Sequence, residues 1–589
     1  MHYIDWVIVV IALSVFVGIN LYLKKSGSKD MQSFFLGGGK MPWYVLGLSM
    51  VATTFATDSP LWVTEKIAQH GISGNWLWWN MMMGGMLTTF FFARLWKRAN
   101  ILTEPEFIEL RYSGKSAQWL RGFKAVYLGL FLNAIIMGWV NLAMMRILEV
   151  FFDLPPETAF WATMVAMLLV AFYASLAGLS GIVLTDSIQF FIAMIGSVIL
   201  AIIVLKQPEI GGMSGLKNQL PEWRFHFFPQ IGKSGSMGAF SLSIGAFLSF
   251  FVLQWWNAWY PGAEPGGGGY IAQRMMSARS ERDALWSVLF FQLLHYAVRP
   301  WPWIVVGLCS LILYPELPIE LAGKGFIYTM RDFLPIGLKG LLLVAFISAY
   351  MSTISTQINW GASYLINDLY ARFIKPENGF TSSSKAQNHY VRAGKWTSLL
   401  LIAAAGIVST NISSIDEAAQ FLIACGAGLG SVLIIRWYWW RINAWSEIVA
   451  TIAPVPVLII SKFYLEPYFG DVYTNNNGSF YVVVLATITS WLTATYLSKP
   501  TDMNVIKHYV ERVRPGGWWP EEVAHRGDDL LTLGKQWILA VFLGYGLLFG
   551  VGYLIIIEWF LAFSWLSISL ISAIILNHLI KKSTAVLAR

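Results

Sequence analysis

Long runs of apolar residues, separated by short polar loops, dominate the sequence. Runs of about 20 apolar residues are long enough to cross the hydrocarbon core of a membrane. Because a lipid-exposed backbone must satisfy its own hydrogen bonds, and because the runs lack the alternation of a barrel, they predict helices. The fifteen predicted segments are 4–23, 42–66, 74–94, 122–150, 157–178, 184–206, 237–261, 286–314, 338–368, 394–411, 417–438, 444–463, 479–498, 536–556 and 559–580. The sequence therefore predicts an all-α polytopic membrane protein.

Composition excludes the common soluble classes. Only 13% of the 589 residues are charged and 56% are hydrophobic, whereas about 25% of a typical soluble domain is charged. The net charge of +8 comes from basic residues scattered over loops, which favours membrane orientation over nucleic-acid binding. Cys309 and Cys425 lie in different apolar segments, so neither a disulfide framework nor a cysteine metal site is predicted.

The basic residues also predict the orientation of the chain. Most of the 41 Lys and Arg residues lie in the loops that follow odd-numbered segments, and the positive-inside rule makes those loops cytoplasmic. Among them are the loop after segment 7, with Arg274, and the loop 499–535. The N-terminus is then outside and the C-terminus cytoplasmic, in a plasma membrane, which in a bacterium is the inner membrane. Segment 1 has no basic region before it and is expected to be a retained helix rather than a signal peptide.

Two segments contain residues that interrupt helices. Segment 2 carries small, hydroxylated and acidic residues before Pro60, and residues 261–269 of segment 7 include two prolines and five glycines. A loop just outside the membrane is the alternative explanation for segment 7. Four continuous segments separate the two, which predicts the first helices of two five-helix repeats, the arrangement of secondary transporters. The expected units are an N-terminal extra helix, two repeats and C-terminal extra helices, over residues 1–41, 42–206, 207–441 and 442–589.

Segment 9 carries a face of small hydroxyl-bearing residues. Ala349, Ser352 and Thr353 lie at positions i, i+3 and i+4, and Ser355 and Thr356 repeat the step one turn later. Such faces usually mediate close packing between membrane helices, but hydroxyls that face the carbonyls of an interrupted helix also suit a hard cation. Asp186, where segment 6 begins, needs a partner if it lies in the membrane, because a buried charge is costly there; the alternative is a helix cap near the interface.

Several motifs resemble the sodium/solute symporter family, which includes bacterial galactose, proline and sialic acid transporters. The resemblance spans roughly residues 4–500, and its motifs are Phe34 to Gly39, Thr103 to Phe107, Thr185-Asp186 to Gln189, Gln273-Arg274, and Ala349 to Thr356. It implies a LeuT-like core of two inverted five-helix repeats. It also implies one sodium site formed by the carbonyls of Ala52, Phe55 and Ala349 and the hydroxyls of Ser352 and Thr353. A second sodium site, known in some members, would match Asp186, Ser352, Ser355 and Thr356.

The sugar-binding residues of the galactose transporters do not carry over. Thr54, Trp78, Gly268 and His295 stand near the positions of the asparagines, glutamate and lysine that contact sugar in those members. The expected cavity is instead rich in aromatic residues, although many tryptophans of membrane proteins serve as interfacial anchors. Arg299 is expected either to bind a substrate carboxylate or to pair with Glu264. The candidate solute-binding residues are Thr54, Trp78, Asn80, Trp256, Asn257, Glu264, His295 and Arg299.

The function that the resemblance implies is sodium-coupled symport. The transported solute is a small organic molecule, with a sugar or sugar derivative favoured, imported by alternating access with one or two Na⁺ ions. Alternatives are an importer of a carboxylate or amino acid, or a solute sensor or channel on the same fold. No His-Glu-x-x-His motif or cysteine pair suggests an enzyme. The expected partners are the solute, sodium and membrane lipid, with no nucleic acid and no obligatory protein partner.

Overall fold

The computed structural model describes residues 1–27, 29–232, 240–258, 263–412, 414–523 and 527–587. These residues are mostly helical. The helices of the first half are α1 (Tyr3–Gly27), α2 (Met31–Leu36), α3 (Trp43–Thr54), α4 (Asp58–His70), α5 (Trp76–Trp79), α6 (Met82–Leu87), α7 (Ala93–Ala99), α8 (Glu106–Arg111), α9 (Gly114–Val126), α10 (Asn133–Phe152), α11 (Pro156–Leu205), α12 (Gly212–Gln219), α13 (Ile244–Leu248), α14 (Trp255–Asn257) and α15 (Gly269–Ser277).

The second half continues in the same way. Its helices are α16 (Glu281–Gln292), α17 (Trp301–Leu313), α18 (Lys324–Phe333), α19 (Leu338–Tyr364), α20 (Ser383–Ser409), α21 (Ile415–Gly426), α22 (Leu429–Ile435), α23 (Ala444–Ile452), α24 (Pro454–Ile460), α25 (Glu466–Asn475), α26 (Gly478–Leu497), α27 (Met503–Val513), α28 (Leu530–Ile555) and α29 (Trp559–Leu587).

Short irregular helices and one small sheet complete the fold. The π-helical turns are Thr88–Phe92, Tyr127–Leu132, Ser249–Gln254, Leu293–Val298, Leu365–Ile374 and Ser461–Leu465. The 3₁₀ turns are Gly37–Gly39, Ile72–Asn75, Glu222–Phe225, Ile319–Leu321, Glu377–Gly379 and Glu521–Val523. Two short parallel strands, β1 (Gln230–Ile231) and β2 (Ser241–Leu242), pair in the loop before α13.

The polytopic helical architecture is confirmed, with differences in how the predicted segments are divided. Within the described residues, ten helical stretches are long and apolar enough to cross a membrane, or eleven if the bent pair Glu417–Gly426 and Leu429–Ile435 forms one span. Both predicted segments 157–178 and 184–206 lie within the range of α11, on either side of a non-helical break at Gly178, so their separation is confirmed. Several others, among them 42–66, 74–94 and 237–261, are divided into shorter helices. Hydropathy detects apolar length but does not show where the backbone departs from a helix.

Gly178 marks the boundary between the two segments that α11 joins. Its φ of 58° and ψ of −148° are not helical. A Cβ atom at this position would lie 2.3 Å from the carbonyl oxygen of Phe34, in α2. Glycine is therefore required twice over, for the left-handed backbone and for the close approach of α2.

The predicted interruption of segment 2 is confirmed. Helix α3 ends at Thr54, Phe55 leaves the helical region with φ −88° and ψ 72°, and α4 begins at Asp58. Both sides of the break are packed by other helices: α3 contacts α11, α16 and α19, while α4 contacts α17 and α18. The irregular backbone is therefore enclosed by protein, as membrane depth requires.

Segment 7 is interrupted as well. Helix α14 ends at Asn257, Ala258 is extended, and α15 begins only at Gly269. Gly266 and Gly267 adopt positive φ values of 75° and 73°, which other residues rarely adopt. Residues 259–262, part of the predicted interruption and including Trp259, lie outside the described residues.

The long helices α11 and α19 pack along each other and form the centre of the structure, with α1 against both. Asp5 connects α1 to α19: one carboxylate oxygen accepts hydrogen bonds from the main-chain N–H groups of Gly337 and Gly340, at 2.7 and 2.9 Å. At the other end of the chain, α28 and α29 form a hairpin. Trp537 and Tyr545 of α28 donate to the carbonyls of Met83 and Trp79, so this hairpin is attached to the core at α5 and α6.

The fold makes a testable prediction about sidedness. Helix α26 separates Asn475 from Asn504, and both side chains are exposed. In a background with Cys309 and Cys425 replaced by alanine, we expect an impermeant thiol reagent added to right-side-out vesicles to label Asn475→Cys and to spare Asn504→Cys. Labelling of position 504 alone would reverse the orientation, and labelling of both in sealed vesicles would contradict α26 as a span.

Candidate ion and solute site

The break between α3 and α4 lies against the hydroxyl face of α19. The Thr353 hydroxyl, on α19, donates to the carbonyl of Thr53 at 2.9 Å and to that of Ala349 at 3.1 Å. The carbonyl of Ala52 accepts from the N–H of Phe55 at 3.1 Å as the chain leaves the helix. This junction brings together freed carbonyls and a hydroxyl, oxygens that suit a hard cation without burying a full charge.

The predicted ligands of the first sodium site fall in this region. All five are buried, and they come from the end of α3 and from one face of α19: Ala52, Phe55, Ala349, Ser352 and Thr353. The Ser352 hydroxyl donates its hydrogen to Asp186 Oδ1 at 2.6 Å. Its lone pairs are then the part of the group that can serve as a ligand.

Asp186 lies about two helical turns after the Gly178 break in α11 and is fully buried, so it is not a helix cap at the interface. Its second carboxylate oxygen accepts from the Ser49 hydroxyl at 2.6 Å. The same oxygen lies 3.8 Å from Nη2 of Arg274, whose side chain is also fully buried. Arg274 donates further to Thr356 Oγ1 at 2.8 Å and to Ser49 Oγ at 3.2 Å.

Sequence reasoning missed Arg274 as part of this site. Its position after an interrupted helix made it one of the loop charges used to predict orientation. The structure instead places it on α15, which packs against α3 and α19. Its neighbour Gln273 donates to Asn359 on α19 at 2.9 Å and accepts from Arg274 at 2.8 Å, which holds the guanidinium in place. The Gln-Arg pair was visible in the sequence, but nothing in it showed that the arginine points into the protein.

A cavity of about 810 Å³ begins at this junction. Thr53, Thr353 and Gln357 line its inner part, and Glu417, Lys462 and Glu466 line it near the loops between α20 and α21 and between α24 and α26. Thr353 therefore faces both the break and the cavity. The ion-site oxygens and the solute cavity are adjacent and share this residue.

Four of the eight predicted solute-binding residues line the cavity: Thr54, Trp78, His295 and Arg299. Thr54 connects two of the others, because its hydroxyl lies 2.9 Å from His295 Nδ1 and 3.0 Å from Arg299 Nη1. The Arg299 guanidinium also lies over the rings of Trp303 and Trp78, at 5.1 and 5.9 Å from the centroids. Cation–π contacts of this kind stabilise a charge that has lost part of its water.

The other four predicted residues do not line the cavity. Asn80 donates to the carbonyl of Trp76 at 2.8 Å, within its own helical turn. Trp256 donates to the carbonyl of Val252 at 2.6 Å, and the carbonyl of Asn257 accepts from Gly428 at 3.1 Å. Helical spacing alone did not distinguish these buried or outward-facing positions from cavity positions.

Glu264 is the fourth of these residues. It is buried beside Gly268 and Gly269, where Glu104 also lies and accepts from the N–H of Gly269 at 2.9 Å. Arg299 contacts Thr54, Val51 and the rings of Trp78 and Trp303. Its pairing with Glu264 stays a prediction.

Asp58 lines the cavity, although the sequence did not identify it as a solute-binding candidate. It is the first residue of α4, and its Oδ1 atom is buried with no hydrogen-bond partner among the described residues. It lines the same cavity as Arg299. Besides Glu417, Lys462 and Glu466 near the loops, the cavity is thus lined by the Asp58 carboxylate and the Arg299 guanidinium. The acidic residue was visible in segment 2, but only the position of the break shows that it reaches the cavity.

Ion pairs close the side of the protein opposite the cavity mouth. Arg121 on α9 binds Asp368 at 2.7 Å and Glu109 at 2.5 Å, and Arg372 binds Glu109 at 3.0 Å. Partial burial alone would raise the pKa of Glu109, but hydrogen bonds from Arg372 and Arg121 outweigh it and hold that pKa below its usual range. These contacts connect α8 and α9 to the end of the helical stretch that contains α19.

The segment between α27 and α28 adds a second set of contacts on this closed side. Arg98, at the end of α7, binds Asp528 at 2.8 Å and Glu281 at 2.9 Å. Arg111 lies over the rings of Tyr509 and Trp519, at 5.2 and 5.3 Å from the centroids. The loops after α7, α15 and α27 are therefore joined on one side, while the cavity opens on the other.

Comparison with known proteins places this geometry in a family context. The profile described as "Sodium:solute symporter family" matches residues 34–453. The sodium/glucose cotransporter of Vibrio parahaemolyticus is 22% identical over 496 residues, which cover 79% of this chain and 86% of that protein. The sodium/sialic acid symporter of Proteus mirabilis (strain HI4320) is 23% identical over 511 residues, 84% of this chain and 96% of that protein.

A solved structure supports the fold independently. The substrate-bound, outward-open structure of a Na⁺-coupled sialic acid symporter aligns with a TM-score of 0.65 and 18% identity, over 85% of this chain and 99% of that one. At this identity the likeness establishes the fold alone. The LeuT-like core inferred from the sequence is confirmed.

Proposed function

This chain belongs to the sodium:solute symporter family, and on that premise we propose that it imports a sugar or sugar-derived solute. It is a sodium-coupled secondary active symporter, and the proteins it resembles are transporters rather than enzymes. Relatives named for glucose, mannose, myo-inositol and sialic acid support a sugar-type solute.

The observation that carries the proposal is the position of Thr353. Its hydroxyl binds the carbonyl of Thr53 at the end of α3, and the same residue lines the cavity. A sodium ion held at the break would replace this hydrogen bond and fix α3 against α19. Solute and ion would then each favour the same arrangement of these helices, and a shared arrangement is what couples two binding events.

The first sodium site consists of the Ala52, Phe55 and Ala349 carbonyls with the Ser352 and Thr353 hydroxyls. Carbonyls and hydroxyls replace the water of a hard cation without adding a buried negative charge, which is costly in a membrane protein. The interrupted helix provides the carbonyls because main-chain oxygens at a break have no helical partner. The sodium gradient supplies the driving force of transport, and the chain supplies the ligands.

The cavity chemistry favours a polyhydroxylated solute. Trp78 and Trp303 offer flat apolar faces, and Thr54, Gln254 and Gln357 offer hydrogen-bonding groups. Aromatic faces with a few placed polar groups suit sugar rings, which have apolar faces and polar edges. Arg299 supports a second candidate, an acidic solute, because a guanidinium recognises a carboxylate through paired hydrogen bonds. An acidic sugar would use both features.

For orientation and domain organisation, the proposal is the same as the prediction from the sequence. We propose that the chain lies in a plasma membrane, with the N-terminus and the cavity mouth outside and the loop 499–535 in the cytoplasm. The closed ion-pair side is then cytoplasmic, as expected for an outward-open state. The two inverted repeats are proposed at residues 42–206 and 207–441, with α1 and the helices after 442 outside the core.

Uptake into proteoliposomes tests the function. Purified protein is reconstituted, and uptake of radiolabelled D-glucose and N-acetylneuraminate is compared under an inward sodium gradient and under choline. We expect the sodium gradient to accumulate at least one of the two above equilibrium. Equal uptake under sodium and choline, or equilibration without accumulation, would contradict sodium-coupled import of a sugar-type solute.

Ser352→Ala tests the ion site. Removing a hydroxyl ligand from a cation costs on the order of 1.5–3 kcal/mol, so we expect the half-saturating sodium concentration to rise about tenfold or more. Ser348→Ala is the matched control, because Ser348 is equally buried on α19 and its hydroxyl has no hydrogen-bond partner among the described residues. The measurement is sodium dependence of ²²Na⁺ binding to purified protein. If Ser352→Ala and Ser348→Ala give the wild-type curve, the α19 face is a packing surface only.

Arg299→Gln tests the solute chemistry. We expect it to reduce N-acetylneuraminate uptake more than D-glucose uptake, because only the acid loses a charge partner. Lys462→Gln, another cation that lines the cavity, is the control and should affect the two solutes alike. Because Glu264 lies beside Gly269 rather than in the cavity, adding Glu264→Gln should not restore uptake. Restoration would instead support the Arg299–Glu264 pair.

A further inference from the structure

The residues expected at a second sodium site are already engaged within the protein. Asp186 accepts hydrogen bonds from Ser49 and Ser352, at 2.6 Å each. Ser355 donates to the carbonyl of Ser352 at 3.1 Å, and Thr356 accepts from Arg274 at 2.8 Å. The oxygens that would surround a sodium ion therefore form a hydrogen-bonded cluster with a guanidinium at its centre.

The charge balance of this cluster is complete without an ion. Asp186 contributes one negative charge and Arg274 one positive charge, and both side chains are fully buried. Among the described residues, the hydrogen-bond and ion-pair partners of these two side chains include no other charged group. A sodium ion beside Asp186 would lie next to the positive guanidinium and would have to share the carboxylate with it, which is costly in a low-dielectric interior.

We propose that Arg274 takes the place of a second sodium ion beside Asp186, so that transport by this chain is coupled to one sodium ion. This inference rests on the proposed function, because it assumes that the first site at the α3 break binds sodium. It replaces the expectation that Asp186, Ser355 and Thr356 are ligands: those residues do not fit a second ion while the guanidinium donates to Thr356 and Ser49.

The arrangement also gives Asp186 a positioning role. By accepting the Ser352 hydroxyl hydrogen, it leaves the lone pairs of that oxygen available to the ion of the first site. The Arg274 guanidinium supplies the opposite charge beside Asp186, at 3.8 Å, without being a ligand of the first sodium.

Counting bound sodium tests the inference without any solute. The probe is ²²Na⁺ alone, and saturation binding is measured on purified protein by scintillation proximity. We expect the wild type to bind one sodium ion per chain with a simple hyperbolic curve. Two ions per chain in the wild type would overturn the inference and leave the proposed function standing. No saturable binding would overturn the first sodium site and the inference together.

Substitutions of Arg274 and Asp186 test whether Arg274 takes the place of the second sodium ion. Arg274→Ala removes the internal cation and leaves a space beside Asp186, so we expect binding to rise to two ions. Arg274→Ala with Asp186→Asn removes both charges, so binding should return to one. Arg279→Ala is the control. Arg279 follows Arg274 closely in the sequence, but its side chain is exposed and binds Asp283 at 2.8 Å. Monodisperse protein on size exclusion is required of each variant. One ion bound by a well-folded Arg274→Ala protein would contradict the replacement.

Discussion

An interrupted helix at membrane depth must satisfy its freed main-chain groups inside the protein, and the rest of this structure depends on how that is done. Helix α3 stops at Thr54, and the carbonyl of Thr53 takes its hydrogen from Thr353 on α19. Lipid cannot make such a bond. The break therefore persists only because a hydroxyl-bearing helix lies against it, and the same oxygens are available to a cation that displaces the hydroxyl hydrogen.

The charged side chains near the break are not among the proposed sodium ligands. Asp186 and Arg274 neutralise each other on the closed side of the break, and Ser352 links them to the ion site. Asp58 and Arg299 lie on the cavity side and interact with its contents. The proposed ligands at the carbonyl junction include no charged group, which lets a monovalent ion bind reversibly there, since a carboxylate ligand would hold it more tightly. The two sides of the break thus serve different purposes, counter-charge on one and solute recognition on the other.

The sequence predicted those features that depend on local chemistry. The run from Thr53 to Pro60 indicated the first break, and the spacing of Ala349, Ser352 and Thr353 indicated the hydroxyl face. It did not predict features that depend on direction or tertiary contact. Asn80 bonds its own helical turn, and Arg274 was interpreted as a loop charge although it points inward. The boundary between segments 157–178 and 184–206 was predicted correctly, because the backbone leaves the helical region at Gly178.

The central claim is that one protein cycle moves sodium and solute together, and flux of the ion itself tests it most directly. ²²Na⁺ influx into proteoliposomes is measured with no sodium gradient, while D-glucose or N-acetylneuraminate is present outside only. The account predicts that an inward gradient of the transported solute drives ²²Na⁺ inward against equilibrium, and that Ser352→Ala strongly reduces this flux at sodium concentrations that half-saturate the wild type. Solute entry without accompanying ²²Na⁺ influx would contradict it.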